Sequence, residues 1–231
     1  MNTEKINLQV EGKEMGCFVA RPEGVPKAGL LVFQEAFGVN AHIRDVTERF
    51  AKEGYLAIAP ELFHRSARGF ESEYVEKKGV AEQMGALTDE GLLADTTAVY
   101  TWLLEQGIAR EHIGAIGYCM GGRTAFLANA SLPLACAVSY YGGRIAPSLL
   151  PLASQSHGPL LLIWGGLDAH IPKEQRDAVA EALSSAGKPF ESVVYEQGDH
   201  GFFCDARASY NKEEAGKAWL KTLDFLGSYL S

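Results

Sequence analysis

The chain has 231 residues, of which 47% are hydrophobic and 22% are charged, and its formal net charge is −8. This length and apolar content are typical of one folded domain of ordinary size and exclude a largely disordered chain. The negative charge argues against nucleic acid or an anionic membrane surface as a partner.

The first half of the chain alternates short apolar runs with a helical pattern. Polar–apolar alternation near residues 5–10 and 16–20 predicts an early hairpin. The continuous apolar run at 29–34 predicts a strand that is buried on both faces. A helix is predicted at about 41–53, and the strand predicted at 55–59 is ended by a proline.

The second half continues the same alternation. The pattern predicts helices at about 88–106, from Met120 to about 130, and from near Pro172. It predicts strands at 113–116, 135–139, 159–164 and 192–195. A last helix is indicated by apolar residues three or four positions apart: Ala215, Trp219, Leu223, Leu226 and Leu230. Sustained alternation of this kind predicts an α/β fold with a mostly parallel central sheet and helices on both faces.

Nothing in the sequence divides this pattern into separate units. Because it contains no linker, repeat or low-complexity tract, we expect residues 1–231 to form a single domain. The section at about 63–90 is the least regular, rich in charge and poor in strand pattern. It is interpreted as a lid or pocket wall, or equally as a plain surface excursion.

Compartment and redox state follow from two further features of the sequence. No apolar run approaches the roughly 20 residues of a transmembrane helix, and the N-terminus lacks the apolar segment of a signal peptide. The four cysteines are scattered in a way that fits neither a disulfide framework nor a zinc site: Cys17, Cys119, Cys136 and Cys204. We therefore expect reduced thiols, a cytoplasmic location, and no metal or cofactor.

The most informative motif is Gly-Tyr-Cys-Met-Gly-Gly at 117–122, between a predicted buried strand and a predicted helix. It matches the nucleophile elbow, Gly-x-nucleophile-x-Gly, in which glycines avoid collisions within a sharp, strained turn. The positive end of the following helix favours a thiolate and a developing oxyanion. Cys119 is therefore the predicted nucleophile; the alternative is a structural cysteine in a glycine-rich turn.

Candidate partners for Cys119 follow in the chain order nucleophile, acid, histidine. Asp168 comes just after a predicted parallel strand, where sites form in open α/β sheets, and His200 lies in a glycine-flanked loop after the next strand. His170 is the alternative base, but it trails Asp168 by two residues. Asp199 is the alternative acid, although a neighbour in the chain has difficulty reaching the ring of His200.

The segment after the first long strand, Gln-Glu-Ala-Phe-Gly-Val-Asn at 34–40, is predicted to complete an oxyanion hole. In this arrangement one backbone N–H comes from the residue after the nucleophile and the other from the loop after that strand. These amides belong to Met120 and Ala36. Glu35 then stands beside the thiol, or is a surface carboxylate at a strand end.

Taken together, these motifs resemble the dienelactone hydrolase (carboxymethylenebutenolidase) family over essentially the whole chain. The matching segments are 34–40, 117–122, 165–168 with Ile171-Pro172, and 198–202, with Tyr-Tyr-Gly at 140–142. The resemblance implies an α/β-hydrolase fold and a Cys–His–Asp triad. It also implies an active-site glutamate, at the position of Glu35, that helps to turn a neutral thiol into a thiolate when substrate arrives.

The sequence departs from the family in the groups that bind substrate. The best-known members hold a substrate carboxylate with two arginines. Here Cys204 occupies one expected arginine position, with Arg207 three residues further on, and the nearest matches for the other are Lys77 or Lys78. A lysine ammonium cannot reproduce the bidentate fork of a guanidinium. The candidate substrate-binding residues are Lys77, Arg207, Arg123 and Tyr141.

The predicted activity is hydrolysis of a small-molecule ester or lactone, dienelactone-like, through a thioester on Cys119. Three alternatives stay open. The chain is a catalytically silent α/β-hydrolase that binds a ligand, it uses Cys119 as a redox sensor, or it transfers the acyl group to an acceptor other than water. No pattern in the sequence bears on the oligomeric state.

Overall fold

A computed structural model describes residues 1–230, and every strand in them belongs to one eight-stranded sheet. The strands are β1 (Asn2–Val10), β2 (Lys13–Arg21), β3 (Ala28–Phe33), β4 (Tyr55–Pro60), β5 (Ile113–Tyr118), β6 (Cys136–Tyr140), β7 (Leu160–Gly165) and β8 (Phe190–Tyr195). Their order is β1-β2-β4-β3-β5-β6-β7-β8. The contacts of β2 with β1 and β4 are antiparallel and all the others are parallel, so the predicted mostly parallel sheet is confirmed.

The helices pack in two groups against the sheet. They are α1 (Ala41–Lys52), α2 (Val80–Ala86), α3 (Asp89–Glu105), α4 (Met120–Ser131), α5 (Lys173–Ser185) and α6 (Lys212–Tyr229). Helix α3 packs on α4, and a 3-10 turn at Leu150–Gln155 contacts both α4 and α5. On the other side, Phe50 of α1 meets Trp219 of α6 with ring centroids 4.8 Å apart. Among residues 1–230, no helix is long and apolar enough to cross a bilayer.

The apolar patterns of the sequence account for most of these elements. Strands β3, β4, β5, β6 and β7 are buried along their whole length, as expected for central strands covered on both faces. In α3, which corresponds to the helix predicted at about 88–106, Leu92, Thr96, Val99 and Leu103 form a buried stripe three or four residues apart. Asn40 caps α1 and Thr88 caps α3, each accepting a hydrogen bond from an amide of the first turn.

Two elements differ from the sequence pattern. Strand β5 continues two residues beyond the predicted end, to Tyr118, because its pairing with β6 continues there. Helix α6 buries Ala218, Thr222 and Phe225, whereas Trp219 and Leu223 of the predicted stripe are half-buried. The apolar side chains of α6 cover more of the helix surface than one stripe, so periodicity alone does not decide which side of the helix faces the sheet.

The carboxyl ends of four parallel strands lie at one edge of the sheet. The segments that leave β3, β5, β7 and β8 carry Glu35, Cys119, Asp168 and His200, respectively. Open α/β sheets form their binding sites at this edge, where the chain turns away from the sheet.

Candidate active site

Cys119 sits at the turn between β5 and α4, in a backbone conformation that is strained for any residue with a Cβ atom. Its φ is 57° and its ψ is −117°. A Cβ on Gly117 would lie 1.9 Å from the carbonyl oxygen of Gly121, and a Cβ on Gly121 would lie 2.4 Å from that of Phe33. The two glycines of the motif are therefore needed for the chain to turn this sharply. The thiol of Cys119 emerges half-buried at the end of α4 where the dipole is positive.

The thiol of Cys119, the ring of His200 and the carboxylate of Asp168 form a hydrogen-bonded chain. His200 Nε2 lies 3.1 Å from Cys119 Sγ, and His200 Nδ1 lies 2.8 Å from Asp168 Oδ2. The other carboxylate oxygen of Asp168 accepts a hydrogen bond of 2.8 Å from the backbone N–H of His170. Both carboxylate oxygens thus have a hydrogen-bond partner, and the carboxylate fixes the orientation of the imidazole.

The alternative base and acid lie outside this chain of contacts. The ring of His170 packs edge-on against that of His200 at 5.2 Å. Asp199 accepts a hydrogen bond from the backbone N–H of His200 rather than from its ring.

Electrostatics favour a charged imidazole at this position. Burial opposes the charge, but the hydrogen bonds with Asp168 and Cys119 outweigh it and raise the pKa of His200 to about 10. Burial likewise opposes the ionised form of Asp168, yet the hydrogen bond from His200 lowers the pKa of that carboxyl. An imidazolium next to a thiol stabilises a thiolate, which is the nucleophilic form of cysteine.

The other three cysteines are buried and chemically quiet. Burial raises the pKa of Cys136 to about 12, and burial together with the charge of Glu35 does the same for Cys204. Burial and the charges of Glu61 and Asp95 raise the pKa of Cys17 even more. These thiols stay protonated at neutral pH, whereas Cys119 alone among the cysteines is partly exposed.

The backbone amides predicted for the oxyanion hole are those of Met120 and Ala36, and Met120 lines the cleft. Met120 begins α4, so its N–H has no acceptor within the helix. Within residues 1–230, neither this amide nor that of Ala36 donates a hydrogen bond to another group of the chain. The side chain of Gln34 holds the loop that carries Ala36, because it donates to the carbonyl of Glu35 and accepts from the amide of Leu62.

Glu35 is fully buried and is paired with Arg207. Its Oε1 accepts a hydrogen bond of 2.9 Å from the guanidinium, while its Oε2 has no partner in residues 1–230. His42 lies nearby, and burial lowers the pKa of its ring although Glu35 and Asp205 act in the opposite direction. The surface-carboxylate alternative for Glu35 is therefore wrong, because its side chain is inaccessible to solvent.

One group of side chains in the described chain comes close enough to share a metal ion: Glu35, His42 and Cys204, with donor atoms within 4.8 Å of one another. The chemistry of these donors fits a metal poorly. Arg207 already places a positive charge on Glu35, and the Cys204 thiol resists the deprotonation that metal ligation requires. The cluster is better described as a buried group of polar side chains.

A cleft of about 800 Å³ opens above Cys119 and His200. Its wall is formed in part by the end of the irregular section, through Met84, Leu87 and Thr88, so that section contributes to the pocket wall. Arg123 also lines the cleft, with its guanidinium paired to Asp89.

The remaining candidate residues differ in whether they line the cleft. Lys77 is exposed and is not among the residues that line the cleft, and neither is Arg207, whose guanidinium donates to Glu35. Tyr141 is fully buried, with its ring 5.2 Å from that of His200 and its hydroxyl unpartnered in the described chain. The sequence pattern did not single out Arg144, which lines the cleft, and no periodicity or motif marks it.

Comparison with known proteins places the chain in a family. The sequence pattern of the dienelactone hydrolase family matches residues 15–230. The chain belongs to the dienelactone hydrolase family. As a member of this family, the protein is an enzyme that hydrolyses esters or lactones.

Individual relatives agree with this assignment. A Synechocystis sp. protein provisionally named carboxymethylenebutenolidase is 40% identical, over 93% of this chain and 90% of its own length. A Salmonella typhimurium protein with the same provisional name is 34% identical, over 96% of this chain and 86% of its own. A crystal structure described provisionally as a dienelactone hydrolase from Klebsiella pneumoniae superposes with a TM-score of 0.90 at 33% identity, covering 99% of both chains.

Proposed function

We propose that this member of the family hydrolyses a dienelactone-like ester or lactone with Cys119 as nucleophile, through a thioester intermediate. The observation that carries the proposal is the continuous contact from Cys119 through His200 to Asp168, at 3.1 and 2.8 Å. A catalytically silent fold does not need a strained thiol, a charged imidazole and a doubly hydrogen-bonded carboxylate in series.

In the acylation step the Cys119 thiolate attacks the carbonyl carbon of the substrate. The oxygen becomes an oxyanion, and the amides of Met120 and Ala36 donate hydrogen bonds to it. One donor of this kind contributes roughly 3 kcal/mol to lowering the barrier. As the intermediate collapses, the carbon–oxygen bond breaks and the His200 imidazolium transfers its proton to the departing oxygen.

In the deacylation step the neutral imidazole of His200 takes a proton from water, and the hydroxide formed attacks the thioester. The second tetrahedral intermediate expels Cys119 as a thiolate, next to the newly charged imidazolium. Asp168 keeps the ring in place in both steps. A thiolate is a good leaving group, so the first tetrahedral intermediate proceeds to the thioester only when the oxygen of the substrate leaves readily as well. The cycle therefore suits activated esters and enol lactones and disfavours amides.

Glu35 has an accessory role in this proposal. It is fully buried in ion-pair contact with Arg207, and it serves as a second acceptor for the thiol proton. A buried carboxylate with one free oxygen is suited to accept a proton.

Replacement of the nucleophile tests the proposal. The Cys119→Ala variant should keep the circular dichroism spectrum of the wild type and lose hydrolysis of 4-nitrophenyl acetate and of dienelactone to the rate without enzyme. Cys17→Ala is the matched control, because that thiol is buried on β2 and is not among the residues of the cleft. Undiminished turnover by Cys119→Ala would remove Cys119 from the mechanism.

A further inference from the structure

His170 lines the cleft next to the catalytic imidazole but has no role in the mechanism above. Its ring packs edge-on against that of His200, with centroids 5.2 Å apart and an angle of 74° between the two planes. The residue is exposed and lines the cleft together with Cys119 and His200. Its backbone N–H donates to Asp168, but within residues 1–230 its ring nitrogens have no hydrogen-bond partner. This imidazole is therefore free to bind a group that enters the cleft.

The position of His170 is coupled to the triad through one carboxylate. Asp168 Oδ1 accepts a hydrogen bond of 2.8 Å from the backbone N–H of His170, while Asp168 Oδ2 lies 2.8 Å from His200 Nδ1. The same buried side chain thus holds the backbone of one histidine and the ring of the other. Groups that act together in a site need supporting contacts of this kind to keep their separation fixed.

The deacylation step requires an oriented water molecule next to His200. In that step the water gives a proton to His200 while its oxygen attacks the thioester carbon on Cys119. One hydrogen bond to His200 leaves the water free to rotate, whereas a second acceptor for its other hydrogen directs its lone pair at the carbon. Two acceptors that share one water lie up to about 6 Å apart, twice the length of a hydrogen bond. Rings whose centroids are 5.2 Å apart come within this span.

The neighbouring polar groups are less suited to accept this second hydrogen bond. A guanidinium only donates, so Arg123 and Arg144, which line the cleft, cannot accept a hydrogen from water. The carboxylate of Asp89 has both oxygens engaged with Arg123. Tyr141 also packs on His200 at 5.2 Å, but its side chain is fully buried and it is not among the residues that line the cleft. A neutral imidazole, in contrast, has one ring nitrogen that accepts.

We propose that His170 positions the water that hydrolyses the thioester on Cys119. This inference rests on the proposed function, because it adds a positioning residue to the deacylation step of that mechanism. The water donates one hydrogen to His200 Nε2 and the other to a ring nitrogen of His170. As the water oxygen bonds to the thioester carbon, its proton passes to His200 and an electron pair moves onto the carbonyl oxygen. The carbon–sulfur bond then breaks, its electron pair leaves with Cys119, and no proton is transferred to His170.

Turnover of 4-nitrophenyl acetate with a radiolabelled acetyl group separates deacylation from acylation. During steady turnover, the rate divided by the concentration of acid-precipitated acetyl-enzyme gives the rate constant of deacylation, whereas kcat/KM reports the steps up to acylation. His170→Phe keeps an aromatic ring next to His200 but lacks nitrogen, and His170→Asn and His170→Gln each supply a neutral acceptor. His157→Phe is the matched control, because that histidine is exposed and is not among the residues that line the cleft.

His170→Phe should lower the rate constant of deacylation roughly tenfold, the effect of losing one neutral hydrogen bond, and should leave kcat/KM unchanged. At least one of His170→Asn and His170→Gln should recover part of the loss, because an acceptor is present again. His157→Phe should behave as wild type. The inference is overturned if His170→Phe deacylates as fast as wild type, if it lowers kcat/KM by the same factor, or if neither amide variant deacylates faster than His170→Phe.

The failure of this inference and that of the proposed function look different. If the acetyl group is found on Cys119 and is lost equally fast from wild type and His170→Phe, the proposed function holds and only the role of His170 is refuted. If the enzyme turns over without an acetyl group on Cys119, the proposed function fails first, and the role of His170, which rests on it, fails too.

Discussion

The ion pair between Glu35 and Arg207 makes the stability of the enzyme sensitive to one substitution in a pH-dependent way. The carboxylate of Glu35 is fully buried, and the guanidinium of Arg207 is 16% exposed. In Arg207→Gln the carboxylate loses its charged partner. It must then stay ionised in a medium of low polarity or take up a proton on folding, and both options destabilise the native state.

The size of the effect has an upper limit set by protonation. A glutamic acid has an ordinary pKa of about 4.3, and each pH unit above it adds about 1.4 kcal/mol to the cost of protonation. The limit is therefore about 3.7 kcal/mol at pH 7 and about 1 kcal/mol at pH 5. Because protonating a carboxyl costs more free energy at higher pH, this limit grows as pH rises. For a chain of this size, about 3 kcal/mol lowers Tm by roughly 6–12 °C.

Urea and thermal unfolding of wild type and Arg207→Gln at pH 5 and pH 7 measure this difference. Glu35→Gln/Arg207→Gln should recover at least half of the loss at pH 7, since no charge is left buried. Arg68→Gln is the matched control: its ion pair with Glu14 is about half-exposed on both sides and should be worth under about 1 kcal/mol at either pH. An equal loss for Arg207→Gln at both pH values would refute the reasoning.

Two further predictions concern the elbow and the charge of the imidazole. Gly121→Ala should abolish folding or cost more than about 3 kcal/mol in urea unfolding, because the new Cβ meets a carbonyl oxygen of β3 at 2.4 Å. Gly227→Ala on α6, with nothing within 4 Å, should be neutral or stabilising by up to about 1 kcal/mol. In an NMR titration, Asp168→Asn and Cys119→Ala should each lower the pKa of His200 from about 10, since each removes a group that favours its charged form.

Either of these predictions can fail plainly. A Gly121→Ala protein as stable as wild type would mean that the turn does not need a glycine. A wild-type His200 that titrates near 6.5, or one whose pKa is the same in both variants, would mean that the two hydrogen bonds do not hold the charge.

The sequence was sufficient to predict the side chains that follow strict local or topological rules. Cys119 is marked by the spacing of its glycines, and Asp168 and His200 follow strands whose carboxyl ends must share one edge in a parallel sheet. The alternation of apolar runs predicted the sheet for the same reason, since a central strand is buried on both faces.

The groups around the cleft follow no such rule. Lys77 lies in a section without periodicity, so its position depends on loop conformation; it is exposed and is not among the residues that line the cleft. Arg144 lines the cleft, and its own backbone has a left-handed conformation. Its carbonyl accepts hydrogen bonds from Arg123 and Ser148. Such an arrangement arises from tertiary contacts and has no counterpart in hydrophobic pattern or residue spacing.

The acyl-enzyme on Cys119 is the most direct measurement of the central claim. Wild-type enzyme is mixed with 4-nitrophenyl acetate, quenched in acid within the first turnover, and analysed by intact mass and peptide mapping. The proposed mechanism predicts a mass increase of one acetyl group, located in the peptide that contains Cys119 and absent from Cys119→Ala. An active enzyme whose acetyl group is found on another residue, or that never carries one during turnover, would contradict it.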